Sequence, residues 1–362
     1  RAQDVMAKAG LDALLLTTEP ELRYFTGFLI WFWESPTRPW FLVVPASGDP
    51  VAVIPSIGAP LMGRTWITDI RTWDAPDYGD DGVALLTETL REVARGDIGV
   101  PMGLETHLRM PLADWTRLQR QGLSLVPDNG LVRALRAVKS EAEIGKIRAT
   151  CGVAGRAFAR VPEIAREGAP LDAVFRRFQM LGLEEGADWV PYVAGAAEPG
   201  GYADVISPAG TKPLARGDVL MLDTGMVRDG YFCDFDRNFS VGPPTPEVRD
   251  AHARLIEATS VAADLARPGV AAMELYQAMD RVLTGGQGTP GRLGHGLGMQ
   301  LTEGLSLIPS DRTELEPGMV ITLEPGIAVS PGRILVHEED IAIRDGVPEF
   351  LSPRAGAEMV EL

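Results

Sequence analysis

The sequence is poor in cysteine, histidine and positive charge. Cys151 and Cys233 are the only cysteines among 362 residues. They are too few and too far apart to form a disulfide framework, so a reducing compartment is expected. Lysine and arginine number 34 against 50 aspartates and glutamates, which sets the net charge at −16. Such a surface repels phosphate backbones and anionic headgroups, which argues against nucleic-acid or membrane partners. No run approaches the roughly 18 apolar residues that a membrane span needs. The first residues, Arg1-Ala2-Gln3-Asp4, contain neither a signal-peptide core nor a Met, so the true terminus is expected to lie upstream. Together these absences predict a cytoplasmic protein.

What remains is an ordinary globular mixture, 45% hydrophobic and 23% charged, with no repeat or low-complexity tract. A chain of this length predicts two domains, at roughly 150 residues each. Residues 1 to about 130 alternate strand and helix signals. Asp12–Leu16, Trp40–Val44 and Val51–Ile54 are short apolar runs, and Val83, Leu86, Leu90 and Val93 share one helical face. That alternation predicts an α/β layer structure. From Leu131 to Gly152 apolar residues recur near helical spacing, and one long amphipathic helix is expected to open the second domain. Further helices are expected near 170–185 and 246–266, the latter capped by Thr245 and led by Pro246.

The most informative stretch is Val219-Leu220-Met221-Leu222-Asp223-Thr224-Gly225-Met226-Val227-Arg228-Asp229-Gly230-Tyr231-Phe232-Cys233-Asp234. Two β-like runs flank a turn signal at Asp229-Gly230. A hairpin centred between Arg228 and Asp229 would oppose Asp223 to Asp234, where like charges destabilise the pair. Asp236 falls on the same strand face as Asp234. A cation between these carboxylates would remove the repulsion; a solvent-facing strand or another register would also avoid it. Glu324 ends a second apolar run, Val320–Leu323, and Glu338 and Asp340 share one face of a third, with Glu339 on the other. Of the four histidines, His295 lies in Gly294-His295-Gly296-Leu297-Gly298, where missing side chains let a backbone approach closely. His107 and His252 read as structural. Oxygen donors with one imidazole suit Mn²⁺, Fe²⁺, Co²⁺ or Zn²⁺ rather than a thiolate site. Four carboxylates and a neutral imidazole would balance two divalent ions, which could activate water for hydrolysis.

Asp223, Asp234, His295 in GHGLG, Glu324 in LEPG and Glu338 in HEED, in that order and spacing, resemble the pita-bread metallopeptidases. That family includes aminopeptidase P, prolidase and methionine aminopeptidase. Residues 1–130, with Leu22-Arg23-Tyr24-Phe25-Thr26-Gly27-Phe28, resemble the creatinase/prolidase N-terminal domain, and Val132 to Arg148 its linker helix. The resemblance implies an α/β N-terminal domain over 1–130 and an α+β pita-bread catalytic domain over 131–362. It also implies two divalent metal ions held by Asp223, Asp234, His295, Glu324 and Glu338, with Asp234 and Glu338 bridging and Glu324 moving a proton.

Two substrate-side histidines of that family are replaced here, by Ser207 or a neighbour and by Thr302, and Asp236 stands where threonine is usual. Serine and threonine donate hydrogen bonds but do not titrate near neutrality. His337 is expected on the strand face opposite Glu338 and is not taken as a ligand. In relatives the N-terminal domain of one subunit walls the active site of its dimer partner. A homodimer is therefore implied, with Leu29–Glu34, Ser35-Pro36-Thr37 and Arg38 as the wall segment. The leading expectation is a dinuclear hydrolase of a C–N bond in an Xaa-Pro dipeptide or short peptide. Its alternatives are a same-fold amidohydrolase or lyase acting on a small metabolite, and a non-catalytic binding scaffold.

Overall fold

A computed structural model describes residues 1–34 and 38–362; Ser35, Pro36 and Thr37 of the expected wall segment lie outside the described residues. The chain divides into compact units at Arg1–Arg136 and Ala137–Leu362. No helix of the described residues is long and apolar enough to cross a membrane.

The first unit is an α/β layer, as the alternation predicts. Its sheet comprises β1 (Leu11–Leu16), β2 (Phe41–Pro45), β3 (Val51–Pro55), β4 (Asp69–Trp73), β5 (Asp97–Val100) and β6 (Ser124–Pro127), in the order β4-β3-β2-β1-β5-β6. β1 is central, which explains its continuous apolar run: Leu14 and Leu16 face one cluster of buried residues, while Ala13 and Leu15 face another. Trp33 is half-buried, with the Arg109 guanidinium 5.1 Å from its ring centroid, while Trp31 and Phe32 are exposed.

The single helix expected over 131–152 is two, Leu131–Ala137 and Glu141–Ala159. The break has a local cause. Ser140 is an N-cap whose Oγ accepts the Glu143 N–H, and the Glu143 carboxylate accepts the Ser140 N–H at 2.8 Å, a reciprocal pair that starts a new helix. The two pieces serve different cores. Leu131, Val132 and Leu135 pack in the first unit, whereas Ile144, Ile147 and Cys151 pack in the second.

The second unit is built around β7 (Ala194–Pro199), β8 (Asp218–Thr224), the short pair β9 (Val227–Arg228) and β10 (Tyr231–Phe232), and β11 (Phe235–Ser240). They are followed by β12 (Val320–Leu323), β13 (Gly326–Ser330), β14 (Arg333–Val336) and β15 (Glu339–Ala342). β8 pairs antiparallel with β7 and β11, and β12 with β15. Leu220 and Leu222 pack with the helices Glu141–Ala159 and Leu171–Glu184. Val219 and Met221 pack with Pro246–Leu265 and Ala272–Thr284. Helices thus cover both faces of β8, and the apolar run ends only where Asp223 begins the site.

Candidate metal centre

The hairpin register differs from the expected one. Asp229 and Gly230 have φ of 48° and 77°, and Arg228 pairs with Tyr231, so the turn is a two-residue loop with both central residues left-handed. That moves the centre of the hairpin by one residue, to between Asp229 and Gly230. Asp223 is opposed to Asp236, not to Asp234, and Asp234 becomes its diagonal neighbour. The carboxylates still converge, because the shift in register between partners is an even number of residues.

The other donors arrive at strand ends. Leu323 pairs with Glu339, so one further step of the β12–β15 ladder brings Glu324 opposite Glu338. His295 is held between strands: the Thr322 N–H donates to its carbonyl at 2.7 Å, and its own N–H donates to Thr322 Oγ1 at 3.1 Å. The flanking glycines are required sterically. A Cβ on Gly296 would lie 1.9 Å from the Glu303 carbonyl oxygen, and one on Gly294 2.3 Å from that of Thr322.

Asp234, His295 and Glu338 are buried, and each offers a ligand atom within 4.8 Å of the others. The imidazole is prepared for a cation. His295 Nδ1 lies 3.0 Å from the Gly296 carbonyl oxygen, which can only accept, so Nδ1 carries the hydrogen. Nε2 then presents a lone pair 3.3 Å from Asp234 Oδ2, another acceptor. Such a contact needs a proton or a metal ion between its two atoms. Burial pulls the His295 imidazole pKa down, but the hydrogen bond to Asp234 and the Glu324 and Asp234 charges outweigh it and leave it raised.

Adjacent Glu338 and Glu339 supply an internal control. Glu339 is met by Arg237 Nη2 at 2.9 Å, the Ala355 N–H at 2.8 Å and the Ser352 hydroxyl. Burial alone would raise its carboxyl, yet Arg237 and His337 hold it at about 2. Glu338 faces the opposite way with Oε1 buried and unpartnered, as is Asp223 Oδ1. Burial, followed by the charges of Asp234, Glu324 and Asp223, pushes the Glu338 carboxyl well up. Burial with Asp234 and Asp236 does the same to Asp223. Glu324 is raised as well, burial outweighing the opposing effects of His295 and Arg292. A divalent ion fits this donor set: it would take up the orphaned oxygens and the open Nε2 together.

The remaining expected residues divide. His337 is fully buried on the far side, 3.6 Å from Asp236 Oδ1 and 3.3 Å from Glu339 Oε1, beside His252 rather than among the three clustered donors. Asp236 Oδ1 accepts the Glu338 N–H at 3.1 Å, which supports the ligand strand. His107 lies in the first unit. Ser207 is exposed and its hydroxyl donates to Asp204, so its hydrogen bonds run away from the carboxylates. Thr302 Oγ1 accepts from Arg292 Nη2 at 3.2 Å, and Arg292 Nε donates to Glu324 Oε1 at 3.2 Å.

Tyr192 and Arg292 escaped the sequence reading. Tyr192 follows Trp189-Val190-Pro191 in an irregular stretch with no motif to mark it, yet its hydroxyl donates to Asp234 Oδ1 at 2.5 Å. Burial and the charges of Asp223, Asp234 and Glu338 raise its pKa well above the usual phenol value, so it stays a donor. Tyr192→Phe should weaken metal affinity by about 10- to 100-fold. Competitive titration against a chelator would measure this, and unchanged affinity would remove Tyr192 from the support of Asp234.

Residues 145–345 match the family described as metallopeptidase family M24, and residues 1–138 match the creatinase/prolidase N-terminal domain. The chain is 30% identical over 343 residues to the probable dipeptidase PepE of Mycobacterium tuberculosis, covering 93% of this chain and 88% of that protein. The crystal structure of dipeptidase PepE from Mycobacterium ulcerans is similar at TM-score 0.85 and 27% identity, covering 99% of this chain and 95% of the other. A prolidase structure from Thermococcus sibiricus shares the fold at TM-score 0.87 and 24% identity, covering 100% and 97%. With a creatinase/prolidase-type domain ahead of a pita-bread catalytic domain whose carboxylates and imidazole suit a divalent ion, the chain belongs to metallopeptidase family M24 and is a metallohydrolase.

Proposed function

We propose that the chain hydrolyses the C–N bond of Xaa-Pro dipeptides or short peptides, using two divalent ions held by Asp223, Asp234, His295, Glu324 and Glu338. The observation that carries this reading is the contrast between Glu339, fully partnered, and Glu338 and Asp223, buried with orphaned oxygens beside an imidazole whose Nε2 is open. Relatives named Xaa-Pro dipeptidase, including one from Lactobacillus delbrueckii at 24% identity over 97% of this chain, point to the same substrate class. When bound, the metal ions supply Lewis acidity that brings water ionisation toward neutrality and favours negative charge on a carbonyl oxygen.

The chain's own residues do the rest. Arg292 occupies Glu324 Oε1 and leaves Oε2 to take a proton from water and pass it to the leaving nitrogen. Water thereby adds across the C–N bond, with hydroxyl on carbon and hydrogen on nitrogen. Tyr192 holds Asp234 in place, and the Gly296 carbonyl sets the His295 tautomer. The serine and threonine in place of two histidines favour the second reading, hydrolysis or lysis of a small non-peptide metabolite by the same centre.

The test is a screen of Xaa-Pro dipeptides, Xaa-Pro tripeptides and small amides with Mn²⁺-, Co²⁺- or Zn²⁺-loaded protein. Turnover of Xaa-Pro substrates supports the proposal, turnover confined to other amides transfers it to the second reading, and no turnover with metal bound favours a scaffold. Glu324→Gln should lower kcat by roughly 10²- to 10⁴-fold at saturating metal, with occupancy followed by elemental mass spectrometry so that loss of metal and loss of the proton carrier are told apart. Retained kcat would exclude Glu324 as the proton carrier.

A further inference from the structure

Asp234 and Glu338, the two carboxylates proposed to be shared by both metal ions, come from different sheets. β11 pairs with β8 and with Val360–Glu361, whereas β15 pairs with β12 and with Glu349–Phe350. Among the described residues no backbone-to-backbone hydrogen bond joins 234–238 to 336–340. Side chains join them instead. The Asp234 N–H donates to Asp340 Oδ2 at 3.0 Å, and the Glu338 N–H donates to Asp236 Oδ1 at 3.1 Å. Asn238 Nδ2 donates to the Val336 carbonyl at 2.6 Å. One segment ascends by two residues as the other descends by two, so the three rungs keep the period of a strand and follow one seam.

The first two rungs are reciprocal. Each acceptor stands two residues after one ligand and takes the backbone N–H of the other. We infer that Asp236 and Asp340 are paired positioning residues that set the separation of the Asp234 and Glu338 carboxylates, and with it the capacity of the centre for a second metal ion. The inference rests on the two-ion reading of the site, which it deepens.

Both acceptors are buried, at 1% and 0% exposed, so the two N–H groups depend on them rather than on bulk water. Neither rung stands alone. Cys151 donates its S–H to Asp340 Oδ2 at 3.2 Å, and Ser352 Oγ accepts the Asp340 N–H at 3.0 Å. Arg237 Nη1 donates to the Glu338 carbonyl at 3.0 Å, so the peptide group on each side of Glu338 is fixed from β11. Two ions about 3.5–4 Å apart need shared carboxylates placed to within about 0.5 Å. Inside a sheet the backbone ladder gives that precision. Across this seam the rungs give it, and a slip of one residue would turn a ligand to the wrong face.

The experiment compares leucine with asparagine at each position. Both are uncharged and close to aspartate in size, but only asparagine keeps an acceptor for the N–H. Asp236→Leu and Asp340→Leu should bind Mn²⁺ roughly 10- to 100-fold more weakly than Asp236→Asn and Asp340→Asn in competitive titration against a chelator. The second equivalent, counted by elemental mass spectrometry, should be the one lost. In electron paramagnetic resonance the signal of a coupled Mn²⁺ pair should persist in the asparagine variants and give way to that of an isolated ion in the leucine ones. The double leucine variant should bind no more than about tenfold more weakly than the worse single one, because both rungs serve one seam. Where a leucine variant does not melt cooperatively, alanine at the same position takes its place.

Equal affinities for the leucine and asparagine variants would overturn the inference, whether both fall or neither does. Losses that multiply in the double variant would overturn the pairing. Amide exchange on the metal-free protein separates these outcomes from the two-ion reading. The peptide containing Glu338 should exchange roughly tenfold faster in Asp236→Leu than in Asp236→Asn, and that containing Asp234 likewise for Asp340. Faster exchange, with fewer than two ions bound by the wild type, upholds the rungs and refutes the two-ion reading. Unchanged exchange overturns the rungs whatever the wild type binds.

Discussion

Glu338→Gln is expected to abolish tight metal binding and, in the absence of metal, to make the protein more stable than its parent. The two effects have one origin. In the metal-free protein Glu338 Oε1 is buried with no partner, near Asp234, Glu324 and Asp223. A buried unsatisfied polar group costs about 1–3 kcal/mol, which the neutral amide relieves in part. At roughly 2–4 °C per kcal/mol for a unit of this size, the metal-free melting temperature should rise by several degrees. With metal the order reverses: an ion at a thousand times its Kd adds about 4 kcal/mol to the parent and little to the variant. Calorimetric melts with and without chelator, beside elemental analysis, measure both. A variant that retains metal, or that melts lower than its parent without it, would remove Glu338 from the centre.

The pH dependence follows with a definite sign. Asp223, Glu324 and Glu338 have carboxyl pKa values raised in the folded state, chiefly by burial. Such an acid holds its proton more tightly folded than unfolded. Its stabilising contribution is complete below the ordinary carboxylate pKa and is lost as pH climbs through the raised folded value. The metal-free protein should therefore lose stability as pH rises above the ordinary carboxylate range. Glu338→Gln should flatten that slope, and metal affinity should increase with pH as protons cease to compete.

Lys139→Met is expected to produce the largest loss of stability. Lys139 Nζ lies 2.9 Å from Glu303 Oε1, with side chains 2% and 7% exposed. The pair packs where Gly298 has no side chain: a Cβ there would lie 2.1 Å from Glu303 Oε1 and 3.0 Å from Lys139 Cε. Removing one member of a buried pair strands the other and costs about 3–5 kcal/mol, equivalent to a fall of roughly 6–20 °C. The damage should reach the site, because Glu303 donates its N–H to the Gly296 carbonyl at 2.8 Å and directly follows Thr302. Lys139→Met with Glu303→Leu should recover much of the loss, since no charge is then left buried alone. A melting temperature for Lys139→Met within about 2 °C of the parent would show the pair to be energetically idle.

Much of the centre could be read from one-dimensional pattern. Asp223, Glu324 and Glu338 flank short apolar runs, and burial in a two-sided sheet explains both the runs and why a charge at their ends needs a partner. The glycines around His295 announced a close backbone approach, which the Glu303 and Thr322 carbonyls supply. The expected helix over 131–152 ignored the stop and restart that Ser140 and Glu143 write into the chain.

The donor types, their order along the chain and their placement at strand ends were decided by the sequence, because side-chain chemistry and the period of a strand are local properties. Only the tertiary structure decided which carboxylates became partnered. Register depends on the left-handed pair Asp229–Gly230, which opposed Asp223 to Asp236, and the fate of Glu338 against Glu339 depends on which strand face Arg237 reaches. Tyr192 and Arg292 entered the site from irregular segments, where no periodicity relates a residue to its neighbours in space. Burial is a property of the whole fold, and it is burial that turns a row of ordinary acids into a site that calls for a cation.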